Sequence, residues 1–335
     1  MKTTLVIAAL ALLVQLAAAP PILAQAAAAQ SARRSAPSPL APSEIVAAAP
    51  AADWRPIAAA DLLVMTLAPD AKGAARRVVI QLMPPPFSQG WVGNIRKLAA
   101  AHWWDGLSVN RVQDNYVAQW GDANGDDKAK ARALPGGLGT TQESDYQIVV
   151  QGPAERGKVT AWQPVKPIND TYSDWASLDN GWPVAHAVTN NDRVMSRWPI
   201  HCYGMVGVGR NLSPDTGSGA ELYTVIGHAP RHLDRNIALV GRVIEGIEHL
   251  SSLPRGTEAL GFYKTAAERT PIVSIRLGNE VADLPRFEYL STESASFARY
   301  ADARANRRDA FFIRPAGGAD ICNIPVPVRR VRVAG

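Results

Sequence analysis

The 335-residue chain contains only two cysteines, Cys202 and Cys322. That is too few for a disulfide-stapled scaffold or a multi-cysteine metal site. Charge is not concentrated either. The 35 basic and 30 acidic residues leave a net charge of +5 and never form a run of five alike, which disfavours nucleic acid or an anionic membrane as partner. The densest basic spots, Arg304 with Arg307 and Arg308, and Arg329 with Arg330 and Arg332, are expected to be solvated surface. No G-x-S-x-G elbow occurs. The glycines of Gly204 to Gly209 lack the strand-to-helix context of a dinucleotide site. Asp122 to Asp126 opens like a calcium loop but lacks the glycine and glutamate that such a loop needs further on. His186, His201 and Cys202 have no metal-ligand spacing. No cofactor and no metal are expected.

What is present is an ordinary globular composition, 47% hydrophobic and 19% charged. The N-terminus differs. Lys2 precedes an apolar run over residues 4–19, Pro20 and Pro21 break it, and Ala24-Gln25-Ala26 fits a signal peptidase site. The run is shorter than the roughly 20 residues that span a bilayer, and no cysteine near the cut suggests a lipid anchor. A signal peptide over 1–26 is therefore expected, with export to the periplasm or medium and no integral membrane span after cleavage. Residues 27–52, rich in Ala, Pro and Ser, are expected to form a disordered linker. In an oxidising compartment Cys202 and Cys322 can pair, or stay as two buried thiols; geometry decides.

From Trp54 onward the pattern is mostly β. Leu62–Leu67 and Arg77–Leu82 are β-branched runs bounded by turn formers. Trp91, Val92, Ile95, Leu98 and Ala99 recur at helical spacing. Strands are expected over 107–119, 203–208, 221–226, 237–243 and 271–277, with a short helix over 245–253. Residues 122–200 are long, polar and turn-rich, and a tail follows Gly278 with a helix over 294–308. Many strands and few helices predict a closed antiparallel architecture.

Two blocks point further. The first is VNRVQDNYVAQWGD, residues 109–122, preceded by Trp104-Asp105-Gly106-Leu107. The second runs from Met205-Val206-Gly207 through Ser218-Gly219-Ala220-Glu221-Leu222-Tyr223 and His232-Leu233-Asp234 to Val240-Gly241. In order and spacing they resemble the cyclophilin-type peptidyl-prolyl cis-trans isomerases, in a bacterial, exported form whose second block has diverged. The resemblance covers roughly residues 76–278 and implies a mainly β fold: an eight-stranded antiparallel barrel capped by helices. The domain would span 53–280 with an insertion over about 123–200, and 281–335 would be a C-terminal extension.

The resemblance implies catalysis by Arg111 and Gln119, and substrate binding by Tyr116, Met205, Val206, Gly207, Glu221, Leu222, Tyr223, His232 and Leu233. The chemistry agrees with the residue types. Rotation about an amide meets a barrier of about 18–20 kcal/mol, and a permanently charged donor aimed at the prolyl nitrogen draws its lone pair out of resonance. For Tyr116 to share a face with Arg111, a bulge or bend is needed. The implied partners are X-Pro segments of unfolded or exported polypeptides, and a monomer is expected. Several positions depart from the family pattern: Asn110 replaces His, Glu221 replaces Gln, Leu222-Tyr223 replace a Phe pair, His232 replaces Trp, and Ile237 stands where His or Tyr is common. A catalytically weak peptide-binding or chaperone module is the alternative these changes raise, and a partner-docking role for the insertion or tail is a third.

Overall fold

A computed structural model describes residues 39–151, 168–189 and 194–331. The expected signal peptide and residues 27–38 of the expected linker lie outside the described residues. In chain order the strands are β1 (Trp54–Ile57), β2 (Leu62–Leu67), β3 (Arg76–Leu82), β4 (Ser108–Val112), β5 (Val117–Gly121), β6 (Ile148–Gln151), β7 (Trp175–Asp179), β8 (Trp182–Thr189), β9 (Val194–Pro199), β10 (Met205–Val208), β11 (Leu222–Val225), β12 (Leu239–Glu245), β13 (Thr270–Leu277), β14 (Phe287–Leu290) and β15 (Val328–Arg330). The α-helices are α1 (Pro42–Ala47), α2 (Gln89–Ala100), α3 (Glu248–Ser251) and α4 (Ala295–Ala305).

Eight strands close into an antiparallel barrel in the order β10-β11-β5-β4-β13-β2-β3-β12, with β12 returning to β10. Alternation along each strand fills the interior. Met65, Ile80, Val109, Ala118, Trp120, Val208 and Leu222 are all buried in one continuous core. Helix α2 buries Trp91, Val92, Ile95, Leu98 and Ala99, the stripe the sequence spacing predicted. It also carries tethers. Trp91 Nε1 donates to the carbonyls of Thr216 and Gly217, both at 3.0 Å, and the Asn94 side chain bonds Gly139 in both directions.

Two parts of the chain depart from the sequence expectation. Residues 42–52 are not linker: α1 packs on α4, and Ile45 and Ala49 join the core. Alanine-rich composition marked this stretch as unable to order itself, but a single buried isoleucine and a neighbouring helix suffice. The polar insertion holds a second sheet, β6-β9-β8-β7. Strand β7 buries one face, whereas β8 is buried throughout Trp182–His186; the segment reads as polar because the long stretches outside these strands are polar. It docks on the barrel through Arg242 of β12, which donates to Gln81 Oε1 at 2.9 Å and to the Gly181 carbonyl at 2.7 Å and lies 4.4 Å over Trp182.

The C-terminal extension likewise folds back. Strand β14 pairs with β1 on one side and β15 on the other. Helix α4 is capped by Ser294, which accepts from Phe297 N–H. Cys202 and Cys322 form a disulfide across 120 residues, resolving the alternative left open by the sequence. A loop of that size is worth up to about 5 kcal/mol in the chain-entropy account. Reduction, or Cys202→Ser with Cys322→Ser, is therefore expected to lower the urea midpoint markedly while leaving β-sheet circular dichroism in place; an unchanged midpoint would show that the bridge adds nothing to stability.

Candidate functional site

The site begins with register. Strand β4 carries a bulge between Val109 and Arg111, so Val109 faces Trp120 but Arg111 faces Gln119. Uninterrupted pairing would have set Asn110 opposite Gln119 and turned Arg111 toward the core, because one residue of slip flips the face. Gln119 in turn faces Tyr223, and Tyr223 faces Gly207. Arg111, Gln119, Tyr223 and Gly207 thus form one row across four adjacent strands, and neighbours in such a row share a face. On the other flank Arg111 forms a β-bridge with Phe262.

The guanidinium is held on three sides. Nη1 donates to Gln119 Oε1 at 3.1 Å, Nη2 to Gln113 Oε1 at 2.5 Å, and Nε to the Leu260 carbonyl at 2.7 Å. It lies 5.2 Å over the Phe262 ring and 5.7 Å over Tyr116. Burial lowers its pKa from the ordinary value, and Tyr116 and Tyr223 oppose the shift. An arginine nevertheless stays charged, and fixed partners leave it little freedom to reorganise.

Tyr116 arrives by the turn after β4. Its N–H donates to the Gln113 carbonyl at 3.2 Å, and Asn115 has φ 50°. Beside it, Leu233 and Ile237 pack on the cluster of Val117, Tyr223 and Val225. Tyr116, Val117, Tyr223, Leu233 and Ile237, with Arg111, line one arm of a cleft of about 700 Å³; Glu221, Asp122 and Arg132 line the other.

Behind the apolar arm lies a buried polar chain. The Tyr223 hydroxyl is 2.9 Å from His201 Nε2, and His201 Nδ1 is 2.8 Å from Asp234 Oδ1. Asp234 Oδ2 accepts from Arg231 Nε at 2.6 Å, and Arg231 grips Asp170 of the insertion with both terminal nitrogens at 2.7 and 2.6 Å. Desolvation lifts the Tyr223 pKa well above its usual value, so the hydroxyl remains a donor. Gly207 makes room for it: a Cβ there would collide with the Tyr223 ring and hydroxyl.

Of the residues implied by the sequence, Arg111, Gln119, Tyr116, Glu221, Tyr223 and Leu233 line the cleft. The five others stand elsewhere. Leu222 pairs with Trp120 and Val208 on the inward face and is core, since Tyr223 next to it points out. Val206 faces Thr224 and is inward for the same reason. Met205 is buried in the core, and Gly207 supports Tyr223 from behind. His232 is exposed and stacks on Tyr116 at 6.2 Å. Of the residues that hold or flank Arg111 and that the sequence did not mark, Gln113 was within reach, being two positions along the chain and just past the end of β4. Phe262 and Leu260 come from an irregular loop with no pattern to find. His186 and His201 are hydrogen-bonded within the protein, and among the described residues no group of three or more metal-ligating side chains occurs. Nor, among those residues, is any helix long and apolar enough to cross a membrane.

Comparison with known proteins accords with this geometry. Residues 77–276 match the family described as cyclophilin type peptidyl-prolyl cis-trans isomerase/CLD. No curated protein matches the chain in sequence. The solved cyclophilin AquaCyp293 from Hirschia baltica is similar in structure, with a TM-score of 0.59 at 19% identity, covering 84% of this chain and 95% of that one. A cyclophilin type peptidyl-prolyl cis-trans isomerase from Cryptosporidium parvum aligns with a TM-score of 0.37 at 11% identity, over 65% of this chain and 96% of that one. The closed eight-stranded barrel, the row built on Arg111 and the match across two hundred residues place the chain in one family: it belongs to the cyclophilin-type peptidyl-prolyl cis-trans isomerases.

Proposed function

We propose that this isomerase acts on X-Pro bonds of exported polypeptides, with Arg111 as its catalytic residue. The observation that carries the reading is the fixed guanidinium beside an apolar recess. A proline ring seated among Tyr116, Tyr223, Leu233 and Ile237 would bring its nitrogen toward Arg111. As the bond twists, the nitrogen lone pair leaves resonance and becomes a better acceptor. A donor already in place then favours the twisted state over the planar one, which lowers the barrier without a nucleophile or a metal. Gln119 takes part in two ways. Its Oε1 holds Arg111, and its place in the cleft makes it available to the substrate backbone.

Export is supported by the N-terminal sequence and by the disulfide, since oxidising compartments let such bonds persist. In that setting uncatalysed X-Pro isomerisation takes tens to hundreds of seconds, long enough to limit folding of clients.

Exchange NMR on a short X-Pro peptide provides the test of activity. The folded chain is expected to accelerate interconversion, and Arg111→Ala to lose roughly 10²-fold or more of that acceleration with an unchanged circular dichroism spectrum. No acceleration by a folded wild-type chain would refute isomerisation; acceleration surviving the substitution would remove Arg111 from the mechanism. For export, N-terminal sequencing of the protein recovered from the periplasm of an expressing bacterium should begin at Ala27, whereas recovery only from the cytoplasm with Met1 in place would refute it.

A further inference from the structure

The loop before β13 closes on Arg111 from the flank opposite Gln119 and Tyr223. Its backbone is pinned to β4 on both sides of that residue. Gly256 N–H donates to the Val112 carbonyl at 2.9 Å, and Tyr263 N–H to the Asn110 carbonyl at 3.1 Å. Gly261 lies so close to Gln113 that a Cβ would collide with its backbone. Within this loop Leu260 has φ 58° and ψ 13°, the left-handed region that a leucine enters only at a cost. Arg111 uses nothing of Leu260 but its carbonyl, which accepts from Nε. Glycine or asparagine would supply that carbonyl in the same conformation with less strain. Nor does the core use the leucine side chain, which is 66% exposed and joins none of the buried clusters.

The side chain stands instead at the catalytic cleft, together with Phe262, which is 39% exposed and also lines it. The Arg111 guanidinium carbon is 5.2 Å from the Phe262 ring centre and 5.7 Å from that of Tyr116. The two rings are therefore no more than about 11 Å apart, a span of about three residues of extended chain. A single exposed leucine is ordinary. One held in a strained conformation by its surroundings, at the wall of a site, is not, because such strain gathers where ligands are gripped.

We propose that Leu260 and Phe262 form a second, apolar subsite, which takes a large aliphatic or aromatic side chain of the client within about three residues of its proline. The occupant follows from the isomerase reading, on which this subsite rests: the wall is continuous with the proline recess through Arg111, so a bound chain that passes Arg111 meets it. Docking such a side chain takes apolar surface of both partners out of water. The subsite thereby favours prolines in unfolded chains, whose large apolar side chains are not yet buried.

Peptides with one proline and serine at the three positions on either side, each position replaced in turn by leucine, provide the test in NMR titrations of the full folded chain. The wild type should bind at least one leucine peptide about fivefold or more tighter than the all-serine parent. Leu260→Asn, which suits the left-handed conformation, should shrink that ratio to within about twofold, and Leu260→Met should keep most of it. Neither substitution should lower the urea midpoint. Equal binding of all peptides by the wild type, or a preference that survives Leu260→Asn, would overturn the subsite. So would a lowered midpoint in Leu260→Asn, which would make the side chain part of the fold. A wild-type dimer that the same substitution dissolves in sedimentation would make a second copy the occupant and overturn it too. Exchange NMR on the same peptides separates the two readings: acceleration without leucine preference sinks only the subsite, and leucine preference without acceleration sinks only catalysis.

Discussion

The bulge at Asn110 is the constraint on which the site depends. Every other strand of the barrel could keep its pairing and the fold would survive. Without that one extra residue, however, Arg111 would enter a core filled by Trp120 and Val109, at a desolvation cost no neighbour there could offset. With it, Arg111, Gln119, Tyr223 and Gly207 fall into one outward row. The barrel's closure fixes the spacing between strands, so the distances in the row are set by backbone hydrogen bonding rather than by flexible side chains. A reaction that needs only a well-placed donor and an apolar recess is suited to such a support, because preorganisation is most of what the protein must supply.

The parts outside the barrel have a share in this. The insertion contributes Asp170 to the buried chain that ends at the Tyr223 hydroxyl, and the disulfide anchors the extension to Cys202, next to His201. Burial opposes the charge of Arg231, yet Asp170 and Asp234 outweigh it and raise its pKa; removing either would leave a buried cation half-paired, a costly state. The floor of the apolar arm is thus braced from behind by the insertion, with the extension fastened beside it.

Much of this was legible in the sequence, for identifiable reasons. Strands such as Leu62–Leu67 and Arg77–Leu82 announce themselves by β-branched runs between turn formers, and α2 by its spacing of Trp91, Ile95 and Leu98. The row on Arg111 was visible as a motif, although alternation alone would have placed its members wrongly, since the bulge has no sequence mark beyond that motif. Leu222 and Val206 show the limit: a motif says which residues are near a pocket, and only strand phase says which of two neighbours points into it. The insertion's sheet was hidden because its short strands sit among long polar, turn-rich stretches, and α1 because it packs on α4, more than 240 residues away in sequence. The Tyr223–His201–Asp234–Arg231–Asp170 chain joins four separate segments, and no local pattern could reveal it.

The central claim is that the apolar arm beside Arg111 receives proline. A crystal structure of the chain soaked with a short X-Pro peptide tests it most directly. The account predicts the proline ring among Tyr116, Tyr223, Leu233 and Ile237, with the Arg111 guanidinium facing the prolyl nitrogen. A peptide whose proline lies in the other arm, against Asp122 and Arg132, or outside the cleft altogether, would contradict it.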